Sequence, residues 1–178
     1  MYISINKQVG LKLVELSDAP ILYKLINESR AYLREWLPWI DRIKSKNDME
    51  LFILNCFYGY EANGIINTVI LFNKKIVGMA GYNMIDWMNR TTSIGYWIDQ
   101  RYQGKGITTL VAYTLTDYAF KNLKLNRVEI RAAVQNKKSR AIPEKLGYQK
   151  EGRLKQAEWV NDRFLDHILY GIVESDWK

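Results

Sequence analysis

Cysteine and histidine are nearly missing from these 178 residues: there is one of each, Cys56 and His167. A single cysteine allows no intrachain disulfide, and its scarcity fits a reducing, cytoplasmic setting. With a lone histidine and no cysteine near it, no metal site is expected. No apolar run approaches a membrane span, and residues 1–10 have no signal-peptide core, so no membrane association is expected. Zinc-ligand spacing, a ribonucleoprotein aromatic motif and a long basic helix are also missing, and direct nucleic-acid binding is not expected.

What is present is ordinary for a soluble globular chain: 48% hydrophobic and 25% charged residues. The length predicts one domain over residues 1–178. A chain of this size buries roughly 70% of its unfolded surface, enough for a substantial core. The net charge is +7, most of it in residues 121–178, with 13 Lys/Arg against 8 Asp/Glu. Such a face suits an anionic ligand or partner, or is simply solvated. Cys56 lies in the apolar run of residues 51–57 and reads as a buried, inert thiol.

Along the chain, residues 10–16 alternate as a strand does. Ser17, Asp18, Ala19 and Pro20 read as a helix start, with Ile21, Leu22, Leu25 and Ile26 at helical spacing after it. A short helix stopped by Pro38 is expected within residues 30–40, and a capping box over residues 47–50 opens another helix to about Glu61. The period then changes. Residues 65–72, 76–85 and 91–99 read as three strands, the first two joined by a turn at residues 73–75. An amphipathic helix from Gly106, an alternating strand over residues 127–134, a short helix over 139–146 ended by Gly147, and closing strands over 148–155 and 164–173 complete the order. This is an α/β chain with a mixed sheet and helices on both faces.

Between the third of these strands and its helix lies Arg101-Tyr102-Gln103-Gly104-Lys105-Gly106-Ile107-Thr108-Thr109. Two glycines let the backbone turn and approach a ligand closely. The free N–H groups and dipole of the helix start then favour a phosphate. Gly106 stands where a P-loop needs Ser or Thr after Lys105, and Thr109 where a dinucleotide fingerprint needs its third glycine. Neither motif fits. Arg101, Gly104 and Gly106 do match Arg/Gln-x-x-Gly-x-Gly/Ala, which resembles the acetyl-CoA pyrophosphate loop of the GNAT N-acetyltransferases.

Other stretches extend the resemblance over most of the chain. They are residues 33–39 (Leu-Arg-Glu-Trp-Leu-Pro-Trp), Ile94-Gly95-Tyr96-Trp97-Ile98, Asn136 with Ser139-Arg140-Ala141, Lys145-Leu146-Gly147-Tyr148, Glu151-Gly152, and Lys155-Gln156-Ala157-Glu158. Within the family they are similar to the RimJ/RimL branch of ribosomal-protein N-terminal acetyltransferases, the last run to the RimL type. The resemblance implies the GNAT fold, with a mostly antiparallel sheet, and acetyl-CoA as co-substrate. It implies a strand that splays from its neighbour, so that Tyr96, Trp97 and Ile98 hold the pantetheine arm and the thioester carbonyl. The pyrophosphate would sit on Gln103, Gly104, Lys105, Gly106, Ile107 and Thr108, with Arg101 opening the motif and Asn136 touching the pantetheine arm.

For the chemistry it implies Glu158 as base and Ser139 as acid or thiolate partner. Glu158 also reads as a solvated strand-end glutamate, and Ser139 as an ordinary N-cap. Many family members carry a general-acid tyrosine four residues before the glycine of the Leu-Gly-Tyr element; here Pro143 stands there, placed by the pattern in a first helical turn. Lys137, Lys138 and Arg140 are candidates for the 3′-phosphate of CoA. His167 reads as structural, and Trp36, Trp39 and Trp87 either line an acceptor cleft or fill the core. The expected reaction is direct attack of a primary amine on acetyl-CoA in a ternary complex, the amine being a ribosomal-protein N-terminus. A small amine such as a polyamine or aminoglycoside is the alternative acceptor. A non-catalytic acetyl-CoA-binding or ribosome-associated protein is the alternative of another class. A homodimer is implied only by analogy.

Overall fold

The computed structural model describes residues 2–178. The chain opens with a short edge strand β1 (Tyr2–Ser4) and β2 (Val9–Leu13), followed by helices α1 (Ala19–Glu28), α2 (Arg30–Leu33) and α3 (Lys46–Glu61). Strands β3 (Ile66–Phe72), β4 (Lys75–Asp86) and β5 (Thr91–Ile98) precede α4 (Ile107–Lys121). Then come β6 (Arg127–Ala133), α5 (Lys137–Lys145), β7 (Gln149–Val160) and β8 (Arg163–Val173). The described strands form one eight-stranded sheet in the order β1-β2-β3-β4-β5-β6-β8-β7. Every neighbouring pair is antiparallel except β5 and β6.

Alternation along the strands supplies two cores, one on each face of the sheet. On one face Ile107, Val111, Leu115 and Ala119 of α4 pack on Ile70, Tyr82, Ile94, Ile130 and Tyr170. On the other, Leu22 and Ile26 of α1 and Met49, Ile53 and Cys56 of α3 pack on Val69, Met79 and Trp97. The two clusters draw on adjacent strand residues, Val69 and Ile70 for instance, as a sheet covered on both sides requires.

The parallel pair of β5 and β6 is short. Thr91, Thr92 and Ser93 face Arg127, Val128 and Glu129, and beyond them the two strands part. Residues 94–98 stay paired with β4, and residues 130–133 with β8. Two strand edges with unshared N–H and C=O groups therefore face each other across a cleft.

Several local expectations need correction. β1 lies outside the expected strands; three residues at a sheet edge leave little periodicity to read. The helix over residues 30–40 is only α2, and the capping box of α3 is formed by Ser45 and Asp48 rather than over residues 47–50. Asp48 accepts from the Ser45 amide at 2.8 Å while Ser45 Oγ accepts from the Asp48 amide at 3.2 Å. The short helix near residue 139 starts two residues earlier, so its N-cap is Asn136, not Ser139. Pro143 accordingly sits inside α5 and is buried there, not in its first turn.

Candidate active site

Asp99 ends β5 and shapes the loop after it. Its carboxylate accepts from the Arg101 amide at 2.9 Å, closing a tight turn over Gln100–Tyr102. Gly104 and Gly106 follow, both at φ +73°, a left-handed conformation that disfavours any residue with a Cβ. Beyond the adjoining residues, no atom lies within 4 Å of where a Cβ would stand on either glycine, so the loop is open on that side. Gly106 is the N-cap of α4 and brings no capping side chain. The first-turn amides of α4 thus have no partner within the helix and point into the opening. Lys105 places its ammonium 5.2 Å from the Tyr102 ring centre and 5.8 Å from that of Phe72, beside the same opening. This is a cradle for an anion, and a pyrophosphate fits its chemistry.

Arg101 plays a different part from its loop neighbours. Its guanidinium grips both oxygens of Asp99 and reaches Glu28 of α1 at 2.6 Å. Burial pushes the Asp99 carboxyl up, but the Arg101 guanidinium and amide more than offset this and hold it below its ordinary value. Arg101 is therefore a strut from the loop to α1, beside an open groove of about 480 Å3 lined by Glu28, Ser29, Asp99, Gln100 and Arg101. Gln103 instead accepts from Lys138 of α5 at 3.2 Å, tying the loop to the start of that helix.

The start of α5 lies against the splayed half of β5. Asn136 Oδ1 accepts from the Ser139 amide at 3.1 Å. The Tyr96 hydroxyl donates to the Ser139 carbonyl at 3.1 Å, and Ser139 Oγ is 3.4 Å from the same hydroxyl. Burial pushes the Tyr96 phenol well above its usual value, so it stays a neutral donor. Trp97 points to the opposite face and packs 6.5 Å from the Trp39 ring. Of the three basic residues, Arg140 turns inward, bonding Tyr170 Oη and the Val134 carbonyl at 3.0 Å each. It is not free for a phosphate; Lys137 and Lys138 remain at the loop end.

At the other side of the cleft stands the β7–β8 ribbon. Leu154 faces His167 and Glu158 faces Leu165, so four steps along β7 match two along β8. The surplus is a bulge at residues 155–157, where Gln156 has φ +48°. Asp166 pins it, accepting from the Gln156 amide at 2.7 Å and from Arg153 Nε at 2.7 Å. The bulge leaves Glu158 Oε2 3.2 Å from His167 Nε2. His167 is the cross-strand partner of Ala133, the last residue of the splayed part of β6, so the pair sits at the cleft mouth. Trp36 closes that mouth against Ala133, Val160 and Leu165, and Asn161 Nδ2 clasps the Arg34 carbonyl at 2.5 Å.

Tyr96, Asn136 and Ser139 thus meet in space, as do Gln103 and Lys138, while Glu158 finds His167. That last pairing was not legible in the sequence, where His167 reads as a lone structural residue and the bulge that sets the register carries no pattern. Trp159, the aromatic beside Glu158 in sequence, turns to the outer face and meets Phe164 edge-on, with ring centres 4.7 Å apart. Of the three tryptophans considered for the cleft, only Trp36 lies at its mouth. Trp39 stacks on Phe52 in the core at 5.4 Å, and Trp87 sits at the paired end of β5, lining a separate pocket of about 180 Å3.

The splayed strands, the glycine cradle and the start of α4 now stand beside what known proteins show. The family described as the Acetyltransferase (GNAT) domain matches residues 8–149. YdaF of Bacillus subtilis (strain 168) is 34% identical over 98% of this chain and 96% of its own length. The ribosomal-protein-serine acetyltransferase of Escherichia coli (strain K12) is 28% identical over 97% of each chain. The crystal structure of the microcin C7 self-immunity acetyltransferase MccE in complex with acetyl-CoA and AMP superposes with a TM-score of 0.90 at 30% identity, covering 95% of this chain and 94% of that one. With the family matched over most of its length and its fold shared from end to end, the chain belongs to the GNAT acetyltransferases.

Proposed function

We propose that this enzyme transfers the acetyl group of acetyl-CoA to the N-terminal α-amine of a ribosomal protein, by direct attack in a ternary complex. The observation that carries the reading is the β5–β6 cleft opening onto the glycine cradle at α4. The cradle offers Gln103, Gly104, Lys105, Gly106, Ile107 and Thr108 to a pyrophosphate. The free edge at Tyr96, Trp97 and Ile98 offers hydrogen bonds to an extended pantetheine arm, with Asn136 beside it. Arg101 serves by fixing the loop rather than by touching the phosphates. One acetyltransferase domain over residues 1–178, acting in the cytoplasm, accounts for this layout.

The chemistry asks for a proton acceptor and a proton donor. As the amine nitrogen bonds to the carbonyl carbon, its proton passes to Glu158. As the carbon–sulfur bond breaks, the thiolate takes a proton from Ser139 or from water, since Pro143 has none to give. A backbone N–H of β5 stabilises the charge that develops on the carbonyl oxygen. The protein acceptor is supported by the name of the Escherichia coli relative, which acts on a ribosomal-protein serine. The spermidine N(1)-acetyltransferase of Vibrio cholerae serotype O1, 24% identical over 97% of this chain, supports a small-amine acceptor as the second reading.

The test is intact-mass spectrometry of unacetylated ribosomal proteins incubated with this enzyme and acetyl-CoA. One protein gaining a single acetyl group, mapped to its N-terminus, is expected. No shift, with acetyl-CoA hydrolysed or transferred only when small amines are added, would replace the first reading with the second.

A further inference from the structure

We infer that His167 is a positioning residue for Glu158: it holds one carboxylate oxygen so that the other meets the acceptor amine. The inference rests on the reading of Glu158 as base. His167 Nε2 stands 3.2 Å from Glu158 Oε2, and the two side chains are 14% and 32% exposed. The imidazole is thus largely fixed in the ribbon, while the carboxylate reaches the mouth of the cleft. On the same face β6 carries Arg127, Glu129 and Arg131, and β8 carries Arg163. Arg127 and Arg131 are tied to Glu129 at 3.0 and 3.2 Å, and among the described residues His167 is the one basic side chain within 4 Å of the Glu158 carboxylate.

The register makes the contact look built rather than incidental. Without the bulge at residues 155–157, Gln156 would face Leu165 and Glu158 would face Arg163, two residues nearer the hairpin tip. Asp166, between Leu165 and His167, pins the bulge through the Gln156 amide. One strand therefore supplies both the imidazole and the anchor that brings the carboxylate to it. A carboxylate held at one oxygen presents the other in a fixed direction, and misplacement of a reacting group by about 1 Å can cost roughly 100-fold in rate.

Two variants and one spectroscopic measurement test this. His167→Leu keeps an apolar side chain of similar size but no donor; His167→Gln keeps an N–H able to reach the carboxylate. The expected result for His167→Leu is a kcat lower by roughly 10- to 100-fold, with the KM for acetyl-CoA and the melting temperature near wild type. His167→Gln should restore most of the kcat. Since the chain has one histidine, its imidazole nitrogens give a single assignable NMR set, and the Nε2 resonance should shift in Glu158→Gln. That readout does not require any His167 variant to fold. An unshifted resonance, or a His167→Leu enzyme of unchanged kcat beside an inactive Glu158→Gln, would overturn the role of His167 while leaving Glu158 as base. A fully active Glu158→Gln would remove the base assignment itself.

Discussion

The hydroxyl of Tyr96 donates to the carbonyl of Ser139 at 3.1 Å, across 43 residues of sequence. In an unbroken helix that carbonyl would accept from the amide four residues on, but that residue is Pro143, which has none. The strand side chain thus supplies the bond that the proline withholds, and it fixes the first turn of α5 against the splayed part of β5.

Tyr96→Phe should therefore destabilise the protein by about 1–2 kcal/mol, the cost of stranding a half-buried carbonyl. In a Pro143→Ala background the new amide can reach Ser139, and the loss should shrink to a small fraction of that. Urea unfolding of the four proteins in a double-mutant cycle measures the difference. Equal losses in both backgrounds would mean that Tyr96 contributes by packing alone.

Gly104→Ala and Gly106→Ala should act twice. Each forces a left-handed conformation on an L-residue, costing roughly 1–2 kcal/mol of stability. Each also sets a methyl group in the open cradle, where no atom beyond the adjoining residues now lies within 4 Å. CoA affinity by calorimetry should fall by more than the loss of folding stability alone would produce, while the KM for the acceptor changes little.

The basic residues at α5 should separate by role. Neutralising Lys137 and Lys138 together should reduce the preference for CoA over 3′-dephospho-CoA and flatten the salt dependence of binding. Arg140→Ala should instead lower the melting temperature with that preference intact, because Arg140 is bonded to Tyr170, Val134 and Glu144. The reverse pattern would show Arg140 to be a phosphate ligand.

Acid should destabilise the fold from the ribbon outward. The Gln156 amide and then Arg153 hold the Asp166 carboxyl below its ordinary value, and Arg127 does the same for Glu151. Ser45 and the Lys44 amide do so for Asp48. Groups lowered in the folded state stabilise it fully above the unfolded carboxylate range, near about pH 4. That contribution disappears as pH falls through the folded values. Urea midpoints should hold steady from neutral pH to about pH 5 and fall below it; a midpoint that rises on acidification would contradict this. Cys56, whose thiol burial pushes up to about 11, should stay unreactive to thiol reagents until the protein unfolds.

The periods of apolar residues determined the order of elements, because a buried face repeats every two residues in a strand and about every 3.6 in a helix. Two glycines and a helix start determined the anion cradle, since left-handed backbone and free amides are local properties. Tertiary structure decided the rest. Whether Arg101 faced a phosphate or Glu28 depended on a helix 73 residues away. The Ser139 carbonyl could be satisfied only by a strand that the sheet brings alongside. The meeting of Glu158 with His167 hangs on a bulge held by one carboxylate. Register between strands is set by long-range pairing, and the two residues inserted in this bulge leave no mark in the local pattern from which they could be read.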